Sequence, residues 1–405
     1  MSLIACYLAP PPRQDIERDG RRQPVKTLLY RNFQEAFIIG CAQHAILVHL
    51  PYQGHRVLYY LSQWLAEWAG PVRLLSSNIF LAGAGTAMAA GLVWWLLPKL
   101  WHLLPRDQGR AHAVGAEHSI GKPMSAGILF IPIFIVVAFL FVPYHPQVVG
   151  ILACALAAMM VGYFDDRAVG GWSEYRLGAL DLLVSICAAW LLCGGEPVQI
   201  WLPLLKGSIE IPTVLYMLGA TPLLWVAINA TNCTDGVDGL SASLTSMSIL
   251  FLGGILYGIV GHAEIARYLL VPHYVDGAQW AILAFVMVGC LTGYLWHNSY
   301  PSAVLMGDSG SRPVGLILGV LALASGNPFL ILVVAFVILV NGATGMVKVV
   351  LLRFFKIPIF KNIRYPLHDH VRHNMGWSNT QVLVRFMLLQ AVGTPILLVL
   401  LLKIR

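Results

Sequence analysis

Apolar runs recur along this chain at similar length, separated by short polar stretches. Ten can be marked, at 78–100, 126–143, 147–164, 177–194, 213–230, 241–260, 278–297, 313–326, 329–352 and 380–402. A helix needs about 20 apolar residues to cross the hydrocarbon core of a bilayer, and all but the short eighth run come near that. The pattern predicts about ten transmembrane helices in an all-α polytopic integral membrane protein. Pro222, Gly254, Gly342 and Gly345 fall inside these runs, where neighbouring helices can cover the backbone they loosen.

Composition agrees. The 405 residues are 58% hydrophobic and 11% charged, against roughly 25% charged in soluble domains. Net charge is +7, but the basic residues cluster before residue 74 and in short loops. That distribution speaks of membrane orientation and not of a nucleic-acid partner. The seven cysteines form no CxxC pair and sit mostly in apolar runs, so neither a disulfide framework nor a zinc site is expected.

The first 56 residues stand apart as an N-terminal extension to a ten-helix domain over 57–405. "APPPRQDIERDGRRQP" is polar and Pro-rich, and reads as disordered. The apolar stretch 33–50 carries Gln34, Glu35, Gln43 and two histidines, and is short for a span. It fits an interfacial helix or an upstream extension. A signal peptide would have a shorter charged region before it.

The loops after odd-numbered spans hold Lys99, Arg106, Arg110, Lys122, Arg167, Arg176, Arg312, Arg353, Lys356, Lys361, Arg364 and Arg372, against Lys206 and Arg267 after even-numbered ones. This bias places the odd loops in the cytoplasm and both chain ends outside. The odd loops also carry the polar clusters: "GYFDDR" (162–167), "NATNCTDGVDGL" (229–240), "HNSYPSAVLMGDSGSRP" (297–313) and "PLHDHVRHNMGWS" (366–378). Their gathering on one face points to a single cytoplasmic cleft, since carboxylates at membrane depth are functional candidates.

The "MGDSGSRPVG" segment at 306–315 poses a choice. Gly-Asp-Ser-Gly is also how a trypsin-like protease presents its serine. A nucleophilic Ser309 would need a base held by an acid, on a β-barrel that nothing here resembles. Asp308, on a loop facing Asp165, Asp166, Asp235 and Asp238, is the better candidate. Five carboxylates without a thiolate suit Mg²⁺, which takes one or two carboxylates plus substrate phosphates. Asp165 and Asp166 are adjacent acids at a helix C-terminus, which a cation or Arg167 would have to compensate. Of Asp235 and Asp238, one is expected to cap the sixth span and the other to work. His368 and His370 have zinc-like spacing but no third partner, and contact with phosphates is favoured.

The motifs "GKPMSAG", "GYFDDR", "NATNCTDGVDGL", "NSYPSAVLMGDSGS" and "PLHDHVRHNMGWS", in this order, resemble those of the polyprenyl-phosphate N-acetylhexosamine-1-phosphate transferases. The ending "HNMGW…VRF" is similar to the branch that takes a muramoyl-pentapeptide donor. The resemblance runs from about residue 57 to the C-terminus. It implies a bacterial inner-membrane enzyme of peptidoglycan synthesis, dimeric and Mg²⁺-dependent. Such an enzyme moves a phosphosugar from UDP-MurNAc-pentapeptide onto undecaprenyl phosphate, giving lipid I and UMP. Carried over motif by motif, Asp308 is the Mg²⁺ ligand, with Asp235 beside it. Asp165 and Asp166 lie near the lipid phosphate, Asp165 as the base. Asn232, Asp235 and Asp238 line the nucleotide–metal pocket, and Asn298 approaches uracil. His368 joins the catalytic set, and His370 contacts phosphate or sugar.

The chain departs from the family pattern at several places. Ser119 stands where a lysine is usual, Asp369 interrupts a run of histidines, and Arg312 replaces a leucine. Asn341 and Lys348 fall where the ninth span tends to carry glutamate and glutamine. Lys122 or Lys348 is expected to supply the cation missing at 119 and so to bind substrate; alternatively Lys348 snorkels to the interface. Two other readings share most of these residues: a UDP-GlcNAc transferase for another surface glycan, and a non-catalytic relative that binds lipid-linked precursors.

Overall fold

The computed structural model describes residues 70–109, 119–203, 205 and 207–403. The extension expected over residues 1–56 lies outside them.

Each predicted span has a helical counterpart. These are α1 (Asn78–Leu100), α2 (Gly127–Phe141), α3 (Pro146–Arg167), α4 (Glu174–Cys193), α5 (Thr213–Thr234), α6 (Leu240–Ile255), α7 (Gly277–Asn298), α8 (Asp308–Ala324), α9 (Phe336–Phe354) and α11 (Asn379–Lys403). A short amphipathic helix, α10 (Leu367–Met375), precedes the last. Eight of the described helices are long and apolar enough to cross a membrane, and α2 is a shorter apolar one. The ends follow local chemistry. Pro146 opens α3, where its missing N–H costs nothing, after a cap by His145. Ser173 caps α4, which stops on left-handed Gly194. One element has no apolar signature: the antiparallel hairpin of β1 (Val198–Ile200) and β2 (Ile209–Ile211). Trp201 pins it, donating its backbone N–H and its Nε1–H to the carbonyls of Gly326 and Ser325, both at 2.9 Å.

α8 is the axis of the bundle. It packs against α2, α3, α4, α5 and α6, and every residue from Asp308 to Leu323 is buried. The hydrophobic pattern starts this span at 313, but the helix starts at Asp308. Asp-Ser-Gly-Ser-Arg looks like a loop because it is polar. Its polar groups are instead satisfied inside the bundle. This also corrects the charge count, since Arg312 is 3% exposed and is not a loop charge facing the cytoplasm.

The ninth span is not one helix. Leu330–Val334 ends at Ala335, and Leu339–Ala343 forms a π-turn within α9. Backbone groups freed at such a break must find partners, because lipid offers none. Gln390 of α11 supplies them: its Oε1 accepts from Val337 N at 3.2 Å and its Nε2 donates to the carbonyl of Val334. Ser248 Oγ donates to the same carbonyl at 2.6 Å. Gln390→Leu is therefore expected to destabilise the fold by about 1–3 kcal/mol, the cost of unpaired buried groups. Thermal unfolding in detergent reads this, and an unchanged midpoint would show that the break does not depend on Gln390.

Candidate active site

Two of the motifs meet through their backbones. Leu305 N donates to Pro123 O at 2.8 Å and Ala126 N to Leu305 O at 3.1 Å, which lays "GKPMSAG" alongside "VLMGDSG". Gly307, at φ +69°, turns the chain into α8, and a Cβ there would come within 2.9 Å of Ser125 N. α3 passes so close to this turn that a Cβ on Gly162 would collide with the Asp308–Ser309 backbone.

This crossing gathers Asp165, Asp166 and Asp308, each with an oxygen within 4.8 Å of the others. Their surroundings differ. Asp166, 7% exposed, accepts from Ser125 Oγ at 2.6 Å, Asp308 N at 3.0 Å and Ser309 N at 3.2 Å. It caps α8 from a neighbouring helix, where the positive end of the helix dipole favours a carboxylate. Asp165 is half-buried and accepts from Trp172 N at 2.5 Å, across a turn that brings Trp172 against Phe164. Asp308 Oδ2 receives Arg312 Nε at 3.0 Å and Nη2 at 2.7 Å. Ser309 is fully buried and its Oγ makes no hydrogen bond, so the serine that suggests a protease has neither access nor a base.

The other expected site residues surround this cluster. Asn232 Nδ2 donates to Ser311 Oγ at 3.0 Å, joining the end of α5 to the start of α8. Asp235 forms the C-cap of α5 and does not belong to the acidic cluster. The expectation that Asp235 or Asp238 caps the sixth span does not hold. Gly239, at φ +77°, occupies that N-cap, and its N–H goes to Asn298 Oδ1 at 2.8 Å. Asp238 instead grips the 298–307 loop, accepting from Ser302 N at 3.0 Å and Ser302 Oγ at 2.9 Å. Asn298 uses its other end on Val304 O at 2.8 Å, so it holds two motif loops in register. Lys122 Nζ donates to Ser302 Oγ at 3.1 Å and lies 4.0 Å from Asp238 Oδ2. Lys348 reaches out of its span to the loop that follows. Its Nζ donates to the carbonyls of Phe360 at 3.0 Å and Ile363 at 2.7 Å, fastening the loop that leads to α10.

His368 opens α10, nine-tenths or more buried, with Nε2 facing Gly236. Asn341, in the π-turn, orients it. Asn341 Oδ1 accepts from His368 N at 2.9 Å and Nδ2 donates to Thr234 Oγ1 at 3.1 Å, while His368 Nδ1 lies 3.1 Å from that Nδ2 and 3.2 Å from that Oδ1. The amide holds Nδ1 and turns Nε2 toward the "NATNCTDG" loop. Burial pushes the imidazole down to about 3, so His368 is neutral across the physiological range. Burial raises the Asp369 carboxyl, against the opposing pull of Arg372. His370 Nδ1 accepts from Arg364 N at 3.3 Å.

The sequence pattern does not single out Ser125 or Ser302, because a lone serine carries no spacing signal; Asn341 stands out only as a departure from the family pattern. Asp181 could have been found, as a carboxylate inside the fourth apolar span.

A helical membrane bundle that collects carboxylates and oriented polar groups where four helix ends meet defines a class: polytopic integral-membrane proteins with a candidate cation site. Residues 148–326 match the Glycosyl transferase family 4 domain. The phospho-N-acetylmuramoyl-pentapeptide-transferase of Treponema pallidum (strain Nichols) is 46% identical over 347 residues, covering 84% of this chain and 95% of that protein. Proteins of the same name from Campylobacter curvus and Helicobacter hepaticus are 31% and 29% identical over 345 and 362 residues, covering 80% and 84% of this chain and 96% and 99% of theirs. The chain belongs to the phospho-N-acetylmuramoyl-pentapeptide-transferase family, and it is a phosphotransferase.

Proposed function

We propose that the chain catalyses Mg²⁺-dependent transfer of phospho-MurNAc-pentapeptide from UDP-MurNAc-pentapeptide to undecaprenyl phosphate, giving lipid I and UMP. The observation that carries this reading is the Asp165–Asp166–Asp308 cluster at the start of α8, in a chain so similar to transferases of that name. An oxygen of the lipid phosphate bonds to the β-phosphorus of the donor, and the bond from that phosphorus to the α,β-bridging oxygen breaks, releasing UMP. Asp165, anchored by Trp172 N, takes the proton of the lipid phosphate. The donor set fits Mg²⁺: with Asp166 committed to its cap and Asp165 to the proton, Asp308, whose Oδ1 takes no bond from Arg312, is the one carboxylate such an ion needs beside substrate phosphates. Bound there, the ion would neutralise charge on the phosphates. Asp235 and Asn232, at the end of α5, and Nε2 of His368 face the nucleotide side, where the Asn232 amide and the neutral imidazole stabilise charge on the leaving phosphate. The lysine-bridged Asp238–Ser302 contact shapes the pocket wall. The site faces the cytoplasm from the inner membrane, and the enzyme works as a homodimer.

Purified protein in detergent, given undecaprenyl phosphate and Mg²⁺, is expected to release UMP from UDP-MurNAc-pentapeptide and not from UDP-GlcNAc. UMP from UDP-GlcNAc alone would move the chain to a transferase for another surface glycan. No UMP from either donor, with the protein folded, would overturn the catalytic reading.

A further inference from the structure

Arg312 sits one turn into α8, and its buried guanidinium is shared between two carboxylates. Nε and Nη2 hold Asp308 Oδ2 at 3.0 and 2.7 Å, and Nη1 donates to Oδ2 of Asp181, a residue of α4 that is 1% exposed. Burying an ion triad does not by itself favour folding, because apolar residues of similar volume often serve as well or better. Nor does Arg312 face the site directly, since it is nearly inaccessible and turned to its two partners. What it touches that bears on the chemistry is Asp308.

We propose that Arg312, anchored by Asp181, is a positioning residue that fixes Asp308 through Oδ2 and sets how strongly the acidic cluster takes a divalent cation. This rests on the cation-binding role proposed for Asp308. A guanidinium in contact with Asp308 competes with a second cation for the same carboxylate. Asp181 shares that guanidinium and so weakens the competition. The two partners therefore act on cation affinity with opposite signs, whereas simple damage to the site would weaken binding in both cases.

The test is Mn²⁺ binding to the purified full chain in detergent without substrate, followed by electron paramagnetic resonance. Asp181→Asn keeps Arg312 but removes the charge that shares it, and is expected to weaken Mn²⁺ binding by about threefold to tenfold. The double variant Asp181→Leu/Arg312→Leu removes the competitor together with its second partner and leaves Asp308 as the one carboxylate of the triad, with the divalent cation as its counter-charge. It is expected to bind Mn²⁺ tighter by about threefold to tenfold. Shifts in the same direction, or shifts below about twofold in both, overturn the proposal. Should the double variant fail to fold, the nearly isosteric Asp181→Asn decides alone: an affinity unchanged or tightened sinks the proposal. Parent binding that is lost in Asp308→Asn but indifferent to Asp181 would sink this inference alone. A parent that binds no Mn²⁺ would remove the cation role of Asp308 and this inference with it.

Discussion

Replacing Asp308 by asparagine is expected to lower UMP release by about a thousandfold or more while leaving the protein folded. The amide keeps an oxygen for the two Arg312 N–H groups that reach Oδ2, and it keeps the backbone N–H that Asp166 accepts at 3.0 Å. The start of α8 should therefore hold its shape. What disappears is the negative charge at the point where α8 meets α3, beside Asp165. Phosphoryl transfer between two charged partners depends on charge neutralisation and positioning, so removing a fixed charge there acts on the barrier itself. Turnover at saturating substrate, measured beside thermal unfolding and elution in detergent, separates the two effects. A folded Asp308→Asn that retains activity within about tenfold would take Asp308 out of the chemistry.

Asp166→Ala is expected to fail by a different route. Its carboxylate holds Ser125 and the first two N–H groups of α8, and alanine leaves all three donors buried without it. Each stranded group costs about 1–3 kcal/mol, and the total for three, on the order of 3–9 kcal/mol, is a large part of ordinary folding stability. The unfolding midpoint should drop by several degrees and activity with it. Asp166→Asn retains one acceptor oxygen and should fall between alanine and the parent. Asp166→Ala with the parent's midpoint and no activity would mean that Asp166 acts on substrate and that its cap contributes little. The contrast matters because the adjacent acids of "GYFDDR" look equivalent in the sequence. In the fold, Asp165 points to a half-exposed turn and Asp166 into the helix start of another segment.

The class of fold and the inventory of chemistry can be read from the sequence alone. A bilayer of fixed thickness demands apolar runs of fixed length, so most of the spans are legible, and eight of the described helices are long and apolar enough to cross. The motif residues are legible too, because polar groups in so apolar a chain stand out against the background. The first turn of α8 is not, since hydropathy scores Asp-Ser-Gly-Ser-Arg as loop and cannot see that neighbouring helices satisfy it. Nor is the break in the ninth span, which rests on Gln390 of another helix. Arg312 reads as a surface charge along the chain because its partner Asp181 lies 131 positions away. It takes the packed bundle to show which carboxylate caps a helix, which is paired to an arginine, and which sits half-buried at a turn. Residue type and spacing are properties of a line. Burial, hydrogen bonding and the field of neighbouring charges are properties of a volume, and they separate five similar aspartates into different tasks.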